Sequence, residues 1–273
     1  MPTFTSDTDQ LLVSLEDRVA VIVLNRPDAR NALSPQLTGA LRRAIAWAND
    51  DADVGGVLIT GAGSAFCSGG DVKAMGARPL SDEKPPTVEQ QFQEMRTRHH
   101  EIGGALRAMR KPSIAALPGP AAGAGMAIAL SCDIRIAADT AFLSTGYARI
   151  GLSGDYGIAW LLSRVVTPGH ARGLMLTSQR VAAQRAYEIG LVSQVVPAGE
   201  LMSVALTQAK ALANGPQVAL AYIKDNLDEA LQIDHATAID READRLLKSR
   251  TTSDHREAVQ AFAEKREPQF KGD

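Results

Sequence analysis

Two glycine-rich segments of this chain could bind an oxyanion through backbone N–H groups. The first, Gly61 to Asp71, reads GAGSAFCSGGD, and the second, Pro118 to Met126, reads PGPAAGAGM. Each follows an apolar, strand-like run and precedes a predicted helix, whose first N–H groups have no partner inside the helix. One N–H from each segment, aimed at a common point, would form an oxyanion hole for a polarised carbonyl. The alternative for each segment is an ordinary tight turn between a strand and a helix.

Neither segment fits a nucleotide-binding loop. The phosphate-loop pattern GxxxxGK[ST] is absent from both. Gly119, Gly123 and Gly125 do not have the GxGxxG spacing, and no acidic residue closes a following strand about 20 residues further on. The sequence therefore argues against a Rossmann-type dinucleotide site.

The elements that must position these segments are strands and helices in alternation. Residues 11–15 and 19–24 predict a hairpin, and Ser34 followed by Pro35 predicts a helix start. The pattern then predicts a buried strand at 54–60, a surface loop at 77–88, a helix at 88–109, a strand at 113–117, a helix at 123–130 and short strands at 134–137 and 142–144. Because a strand, strand and helix unit recurs, we expect a spiral α/β architecture.

Beyond residue 156 the pattern becomes almost wholly helical. The predicted elements are helices at 169–176, 182–189, 200–213, 216–230, 233–248 and 254–265, with a single strand at 192–196. We place a boundary near residue 200, between a core at 1–200 and a helical region at 201–273. The helical region carries more apolar side chains than a peripheral helix needs, which predicts packing on a neighbouring subunit.

Composition excludes several classes of function. The 273 residues carry 29 Lys and Arg against 31 Asp and Glu, a net charge of −2, so no basic stripe is available for nucleic acid. Cys67 and Cys132 can make no disulfide framework and lack metal-ligand spacing, which predicts a cytoplasmic, metal-free protein. The first ten residues include acidic ones where a signal peptide would be basic. The uncharged run at 112–132 is rich in Ala and Gly and contains Pro118 and Pro120, so we expect it to be buried in the protein rather than in a membrane.

Four ordered motifs carry a resemblance to a known family. They read NRPDARNALS at 25–34, GAGSAFCSGGD at 61–71, KPSIAALPGPAAGAGMAIALSCDIRIAAD at 111–139 and GLVSQVVP at 190–197. Over residues 11–265 the chain resembles the enoyl-CoA hydratase/isomerase family, the crotonase superfamily. The resemblance implies a crotonase-like ββα-repeat spiral core with a helical C-terminal region that forms homotrimers or hexamers. It also implies an acyl-CoA substrate, with coenzyme A as part of the substrate and no separate cofactor.

The same resemblance implies where the thioester and the coenzyme would lie. The first oxyanion N–H falls at Ser68, or at Gly70 as in some members, and the second at Ala124. Because only an N–H is needed, these side-chain types are compatible with the role. Arg30 and Lys73 match positions that meet the coenzyme A phosphates in relatives; the alternative for both is an ordinary solvated surface charge.

The chain departs from the hydratases of this family at both of their characteristic glutamates. The matching positions are Ala127 and Tyr147. Alanine has no ionisable group, and an unperturbed phenol has a pKa of about 10. At neutral pH, therefore, neither side chain can move a proton. The two-glutamate hydration mechanism is therefore not expected here.

Two other side chains match catalytic positions in relatives. Asp155 falls where isomerase-like members, carbon–carbon bond hydrolases and 4-chlorobenzoyl-CoA dehalogenases have aspartate; alternatively it caps the helix predicted to start at Tyr156. His100 falls where the dehalogenases keep a histidine, and an imidazole could act as a general base near neutral pH. The alternative for His100 is a solvated helix face. Tyr147 stands where the dehalogenases have tryptophan and would retain an aromatic wall.

These residues predict an acyl-CoA enzyme that uses Asp155 as its main acid and base. The favoured reactions are double-bond isomerisation or an atypical hydration, because proton abstraction beside a thioester needs one base and an oxyanion hole. The alternatives are nucleophilic chemistry, in which Asp155 attacks or orients water with His100 as base, and non-catalytic acyl-CoA binding.

Overall fold

The computed structural model describes residues 4–71 and 86–273, in which the strands form one large and one small sheet. The strands are β1 Leu11–Glu16, β2 Val19–Leu24, β3 Gly56–Gly61, β4 Ser113–Leu117, β5 Ala121–Ala122, β6 Ile134–Ala138, β7 Phe142–Ser144, β8 Val181–Ala182 and β9 Gln194–Val196. The large sheet has the order β1-β2-β3-β4-β6-β9, and the small sheet has the order β5-β7-β8. The chain alternates between the sheets, because β4 and β6 enter the large sheet while β5 and β7 enter the small one. This alternation is the predicted spiral.

The hairpin at the N-terminus is confirmed. Strands β1 and β2 pair antiparallel with Leu11 opposite Leu24 and Glu16 opposite Val19. Asp17 and Arg18, the two residues of the turn, both have positive φ, as a turn matching the right-handed twist of the strands requires. The other neighbours in the large sheet pair in parallel, and β3 and β4 are buried along their whole length.

Helices cover the sheets and form the C-terminal part of the chain. They are α1 Pro35–Asp50, α2 Val88–His99, α3 Ala105–Ala108, α4 Ala124–Ser131, α5 Ile158–Val165, α6 Pro168–Thr177, α7 Ala183–Glu188, α8 Leu201–Ala213, α9 Gln217–Glu229, α10 His235–Arg250 and α11 Ser253–Glu264. The predicted helix start at Ser34 is confirmed, because the Ser34 hydroxyl accepts the Leu37 N–H at 3.1 Å and Pro35 occupies the first position. Among helices of the described residues, none is both long enough and apolar enough to cross a membrane.

The predicted helix at 88–109 is present but is not a uniform α-helix. Thr87 and Gln90 form a capping box at the start of α2. A π-helical turn over His100–Gly104 then separates α2 from α3 and buries Ile102 and Gly103. Single π turns of this kind are frequent at functional sites. The predicted loop at 77–88 lies almost entirely outside the described residues.

Helix α8 packs on the large sheet, whereas α9 to α11 lie further out. Leu201, Ala205, Ala209 and Ala213 of α8 are buried against the core. In α9 only Ala221 is fully buried, and Leu227 is 66% exposed. The boundary near residue 200 stays a prediction, but the first helix beyond it contributes to the core.

Candidate active site

The two glycine-rich segments are joined backbone to backbone. The Ala122 N–H donates to the Cys67 carbonyl at 2.9 Å, and the Phe66 N–H donates to the Pro120 carbonyl at 3.1 Å. A Cβ on Gly125 would overlap the Cys67 carbonyl oxygen, so only glycine permits this approach of α4 to the first segment. The two segments, which follow β3 and β4 of the large sheet, are thus held together as one unit, the glycine-rich unit.

The sequence left two positions, Ser68 and Gly70, for the first oxyanion donor, and the hydrogen bonds of their N–H groups distinguish them. The Ser68 N–H donates to the Arg30 carbonyl at 3.0 Å, so it is already engaged. Within residues 4–71 and 86–273, neither the Gly70 N–H nor the Ala124 N–H has an acceptor. Gly69 brings the two together, because a Cβ on it would lie 3.4 Å from the Ala124 nitrogen. The Ser68 N–H is therefore engaged within the protein, whereas the Gly70 and Ala124 N–H groups are available to a ligand; which N–H groups bind the oxyanion stays a prediction.

Asp155 receives a hydrogen bond from a buried tyrosine and caps no helix with its side chain. Helix α5 begins after Gly157, which is its N-cap and has no side-chain cap. The Asp155 carboxylate instead accepts a hydrogen bond from the Tyr147 hydroxyl. The helix-cap alternative for Asp155 is therefore wrong, and two of the predicted site residues, Tyr147 and Asp155, are brought together.

Burial and neighbouring groups act in opposite directions on the Asp155 carboxyl. Burial raises its pKa above the ordinary value, while the hydrogen bond from Tyr147 and the charge of Arg98 act to lower it. Burial, together with the Asp155 charge, also raises the pKa of Tyr147, so this phenol keeps its proton and acts as a donor. Asp155 titrates closer to neutral pH than an exposed aspartate does.

Asp155 and Tyr147 both lie near the glycine-rich unit. Tyr147 Cε1 is 4.0 Å from where a Cβ on Gly123 would lie, which puts the phenol beside the turn that leads into α4. Burial raises the pKa of the Cys67 thiol to about 12, and the charge of Asp155 adds to this effect. Through Tyr147, the half-buried Asp155 carboxylate is thus linked to the glycine-rich unit, whose Gly70 and Ala124 N–H groups have no acceptor among the described residues. A carboxylate and free N–H groups are the groups needed to move a proton and to stabilise an oxyanion.

His99, the neighbour of the predicted His100, packs against Tyr156, the residue that follows Asp155. His100 is exposed, and in the described part of the chain no hydrogen bond joins it to Asp155. The half-buried His99 ring lies 4.2 Å from the Tyr156 ring, centroid to centroid. Burial and the charges of Arg98 and His100 lower the pKa of His99 to about 4, so its imidazole is neutral at physiological pH. The structure therefore does not bring His100 and Asp155 together.

Arg30 lies where two clefts meet. A cleft of about 530 Å³ is lined by Arg30, Ser68 and Gly70 among others, so it leads from this cation to the available N–H group. A second cleft of about 380 Å³ is lined by Arg30 and by Arg180, whose guanidinium lies 4.7 Å above the Phe142 ring. The sequence does not indicate that Arg180 shares a cleft with Arg30, because nothing in its local pattern links it to a residue 150 positions earlier. Lys73 lies outside the described residues.

Comparisons with known proteins extend over nearly the whole chain. Residues 14–273 match the family model described as enoyl-CoA hydratase/isomerase. The short-chain-enoyl-CoA hydratase of Clostridium acetobutylicum is 33% identical over 261 residues, 95% of this chain and 97% of that protein. The 1,2-epoxyphenylacetyl-CoA isomerase of Escherichia coli is 33% identical over 264 residues, 96% of this chain and 98% of that protein. The crystal structure of an enoyl-CoA hydratase from Polaromonas superimposes with a TM-score of 0.87 at 34% identity, covering 96% of this chain and 99% of that one.

Proposed function

The chain belongs to the enoyl-CoA hydratase/isomerase family and is an enzyme of acyl-CoA substrates, and we propose that it isomerises a double bond with Asp155 as its single acid and base. The observation that carries this proposal is the half-buried Asp155 carboxylate, hydrogen-bonded to Tyr147, whose ring lies beside Gly123 of the segment that presents the Ala124 N–H. The thioester oxygen accepts a hydrogen bond from each of two N–H groups, those of Gly70 and Ala124. Negative charge that develops on this oxygen is stabilised in the transition state.

Isomerisation fits a site that has one carboxylate. Asp155 removes a proton from a carbon made acidic by the thioester, giving an enolate whose oxygen is held by the two N–H groups. The same carboxyl then returns the proton to a different carbon, and the double bond shifts with no net gain or loss of atoms. Hydration adds water and needs a further group to orient or activate it. Ala127 is fully buried and Tyr147 keeps its proton, so neither position supplies that group in the manner of a glutamate.

Nucleophilic chemistry is less well supported by the geometry. That alternative paired Asp155 with His100 as a base, and His100 is exposed with no hydrogen bond to Asp155 in the described residues. Release of free coenzyme A, which marks hydrolysis, would favour this alternative, whereas isomerisation leaves the thioester intact.

The coenzyme A phosphates are proposed to bind at Arg30, with Arg180 as a second cation at the neighbouring cleft. Arginine forms strong, charge-assisted hydrogen bonds with phosphate oxygens. The cleft that joins Arg30 to Gly70 provides the route from the phosphates to the thioester. Coenzyme A is part of the substrate in this proposal, and no other cofactor takes part.

The assembly is proposed to be a cytoplasmic homotrimer or hexamer. In support, α9 exposes Ile223 and Leu227, and Leu231 follows just beyond it. These side chains line an apolar cavity of about 410 Å³ between α9 and α5, away from Asp155. A contiguous apolar surface of this kind is typical of a protein interface.

The decisive experiment compares Asp155→Asn with wild type on a panel of enoyl-CoAs that differ in chain length, unsaturation and aromaticity. Isomerisation is followed by the absorbance of the conjugated thioester, and free coenzyme A is measured in parallel. Because a general acid–base group contributes about 10²–10⁴-fold, turnover should fall by that factor. Asp139→Asn is the matched control, since Asp139 is exposed and lies outside the site. Full turnover by the Asp155 variant would rule out the proposed role.

A further inference from the structure

The cleft that leads from Arg30 to the glycine-rich unit has two walls, which come from separate parts of the chain. One wall is the loop at 25–34, here called the Arg30 loop, and the other is the first glycine-rich segment, 61–71. Asn31 stands between two lining residues of the loop, Arg30 and Ala32, but its own side chain is fully buried. A fully buried side chain does not touch a substrate in the cleft, so Asn31 can act on the reaction only through its neighbours.

The Asn31 amide joins the two walls and uses both of its polar side-chain atoms. Its Nδ2 group donates to the Ala65 carbonyl at 2.8 Å and to the Ala62 carbonyl at 3.0 Å, both in the first glycine-rich segment. Its Oδ1 accepts the Arg26 N–H at 2.8 Å, within the Arg30 loop. Each N–H of the amide and its oxygen therefore have a partner, as a buried polar group requires.

The Arg30 loop has a strained backbone that its contacts hold in place. Arg30 and Asn31 have φ of +50° and +56°, in the left-handed region, which asparagine tolerates better than arginine. Such conformations persist only where the surroundings fix them. The Ser68 N–H donates to the Arg30 carbonyl at 3.0 Å, and the Leu33 N–H donates to the Gly69 carbonyl at 2.8 Å. Contacts with the opposite wall thus hold the loop, and the Asn31 amide makes two of them.

A second side-chain bridge crosses between the walls where the segment ends. The Arg26 guanidinium donates to the Asp71 carboxylate at 3.1 Å and, within its own loop, to the Ala32 carbonyl at 2.6 Å. The side chains of Arg26 and Asp71 are 22% and 20% exposed, so solvent screens this ion pair more than it screens the bonds of the buried amide. The ion pair is therefore expected to be the weaker of the two bridges.

We propose that Asn31 is a positioning residue that holds the two walls at a fixed separation, so that phosphate binding at Arg30 assists the reaction of the thioester. The inference rests on the proposed function, which places the coenzyme A phosphates at Arg30 and the thioester at the glycine-rich unit. Binding energy from a remote part of a substrate accelerates a reaction only when the protein ties that part to the reacting centre. Asn31 supplies such a tie. The ordinary alternative is a buried amide that stabilises the fold and does nothing more.

The test compares an enoyl-CoA with the enoyl-pantetheine that carries the same thioester without the phosphates. The quantity measured is the ratio of kcat/KM for the two substrates. Asn31→Asp keeps an acceptor for the Arg26 N–H but loses both N–H donors to the segment. We expect the ratio to fall about tenfold in Arg30→Gln, the effect of losing one charge-assisted hydrogen bond, and several-fold in Asn31→Asp.

The two variants should also differ in which kinetic constant changes. In Asn31→Asp the loss should appear in kcat for the enoyl-CoA, and calorimetry should show that most of the affinity for free coenzyme A is kept. In Arg30→Gln that affinity should fall. When the two substitutions are combined, the ratio should fall no further than in Arg30→Gln alone, because the two residues act as a unit.

Two further variants complete the test. Asn49→Asp is the matched control, because Asn49 is exposed on α1 and the substitution adds the same charge, so its ratio should equal that of wild type. Arg26→Gln breaks the weaker bridge and should lower the ratio less than Asn31→Asp does. Where Asn31→Asp yields no folded protein, the ratio in Arg26→Gln decides alone.

A merely structural role for Asn31 would lower kcat/KM for both substrates equally and leave the ratio unchanged. A wild-type ratio in Asn31→Asp and Arg26→Gln, beside a reduced ratio in Arg30→Gln, would therefore overturn the inference. A further fall in the combined variant would contradict it as well. Failure of the proposed function is separate: it appears as a wild-type ratio in Arg30→Gln or as retained turnover in Asp155→Asn.

Discussion

Replacing Tyr147 by phenylalanine removes one hydrogen bond from the candidate base and little else. The side chain is 5% exposed, and Phe has nearly the same volume, so the aromatic packing near Gly123 is kept. The lost hydrogen bond is made to a charged acceptor, Asp155, and such bonds contribute about 1.5–3 kcal/mol. Since one pKa unit corresponds to about 1.4 kcal/mol, the acidic limb of kcat/KM should rise by about 1–2 pH units.

The acidic limb should move to higher pH because the hydrogen bond favours the ionised form of Asp155. The Tyr147 hydroxyl stabilises the carboxylate, so its removal raises the pKa of Asp155 further above the ordinary value, in the direction in which burial already acts. The base is then protonated over more of the acidic range, and activity is lost at a higher pH. At alkaline pH, where Asp155 is ionised in both proteins, turnover should remain within about tenfold of wild type.

The assay is a kcat/KM profile from pH 4.5 to 9 for wild type, Tyr147→Phe and Tyr187→Phe. Tyr187 is the control, because it is 51% exposed on α7 and the substitution removes the same hydroxyl. An unchanged limb would show that the hydrogen bond does not stabilise the ionised carboxylate. A plateau reduced by a hundredfold or more, without a move of the limb, would instead show that Tyr147 exchanges a proton with the substrate.

Three further outcomes are expected. Changing Arg30 and Arg180 together to Gln should weaken coenzyme A binding by about 1–3 kcal/mol in calorimetry, because charge-assisted hydrogen bonds to phosphate are lost. The control Arg172→Gln should leave the affinity unchanged. Unchanged affinity in the double variant would show that neither arginine belongs to the site. Gly125→Ala should lower both the melting temperature and turnover, because its methyl group would force the two glycine-rich segments apart, and a wild-type melting curve would contradict this. In light scattering at micromolar concentration we expect three or six times the chain mass, and Leu227→Glu should reduce it; a monomeric mass for wild type would refute the assembly.

Features set by neighbours in the sequence could be predicted. The hairpin of β1 and β2 is encoded by two apolar runs around a short turn, and the start of α1 is encoded by Ser34 and Pro35. The strand predicted at 54–60 is found at Gly56–Gly61, because an apolar run closed by glycine is a local signal. The meeting of the two glycine-rich segments was likewise expected from their matching positions between a strand and a helix.

Features that depend on the rotation of a residue about its helix axis, or on contacts between distant parts of the chain, could not be predicted from the sequence. The sequence pattern puts residues 99 and 100 on one helix, but neighbours on a helix point about 100° apart, and the π-helical turn that follows changes the register. Hence the pattern does not tell that His99 rather than His100 meets Tyr156. Nor does it tell that the Ser68 N–H is engaged by Arg30, which lies on a separate turn of the chain.

Ala127 and Tyr147 stand where the resemblance implies the two glutamates of the hydratases, and neither can act as a glutamate would. Ala127 packs as a core residue of α4, and Tyr147 donates a hydrogen bond to the Asp155 carboxylate. Burial raises the pKa of Asp155 above its ordinary value, while the hydrogen bond from Tyr147 and the charge of Arg98 act to lower it. In the proposed reaction this one carboxyl takes a proton from one carbon and returns it to another. One carboxyl is less suited to hydration, in which one carbon receives a proton and the other receives the hydroxyl of water. Delivery of the proton and activation of the water would each require a group.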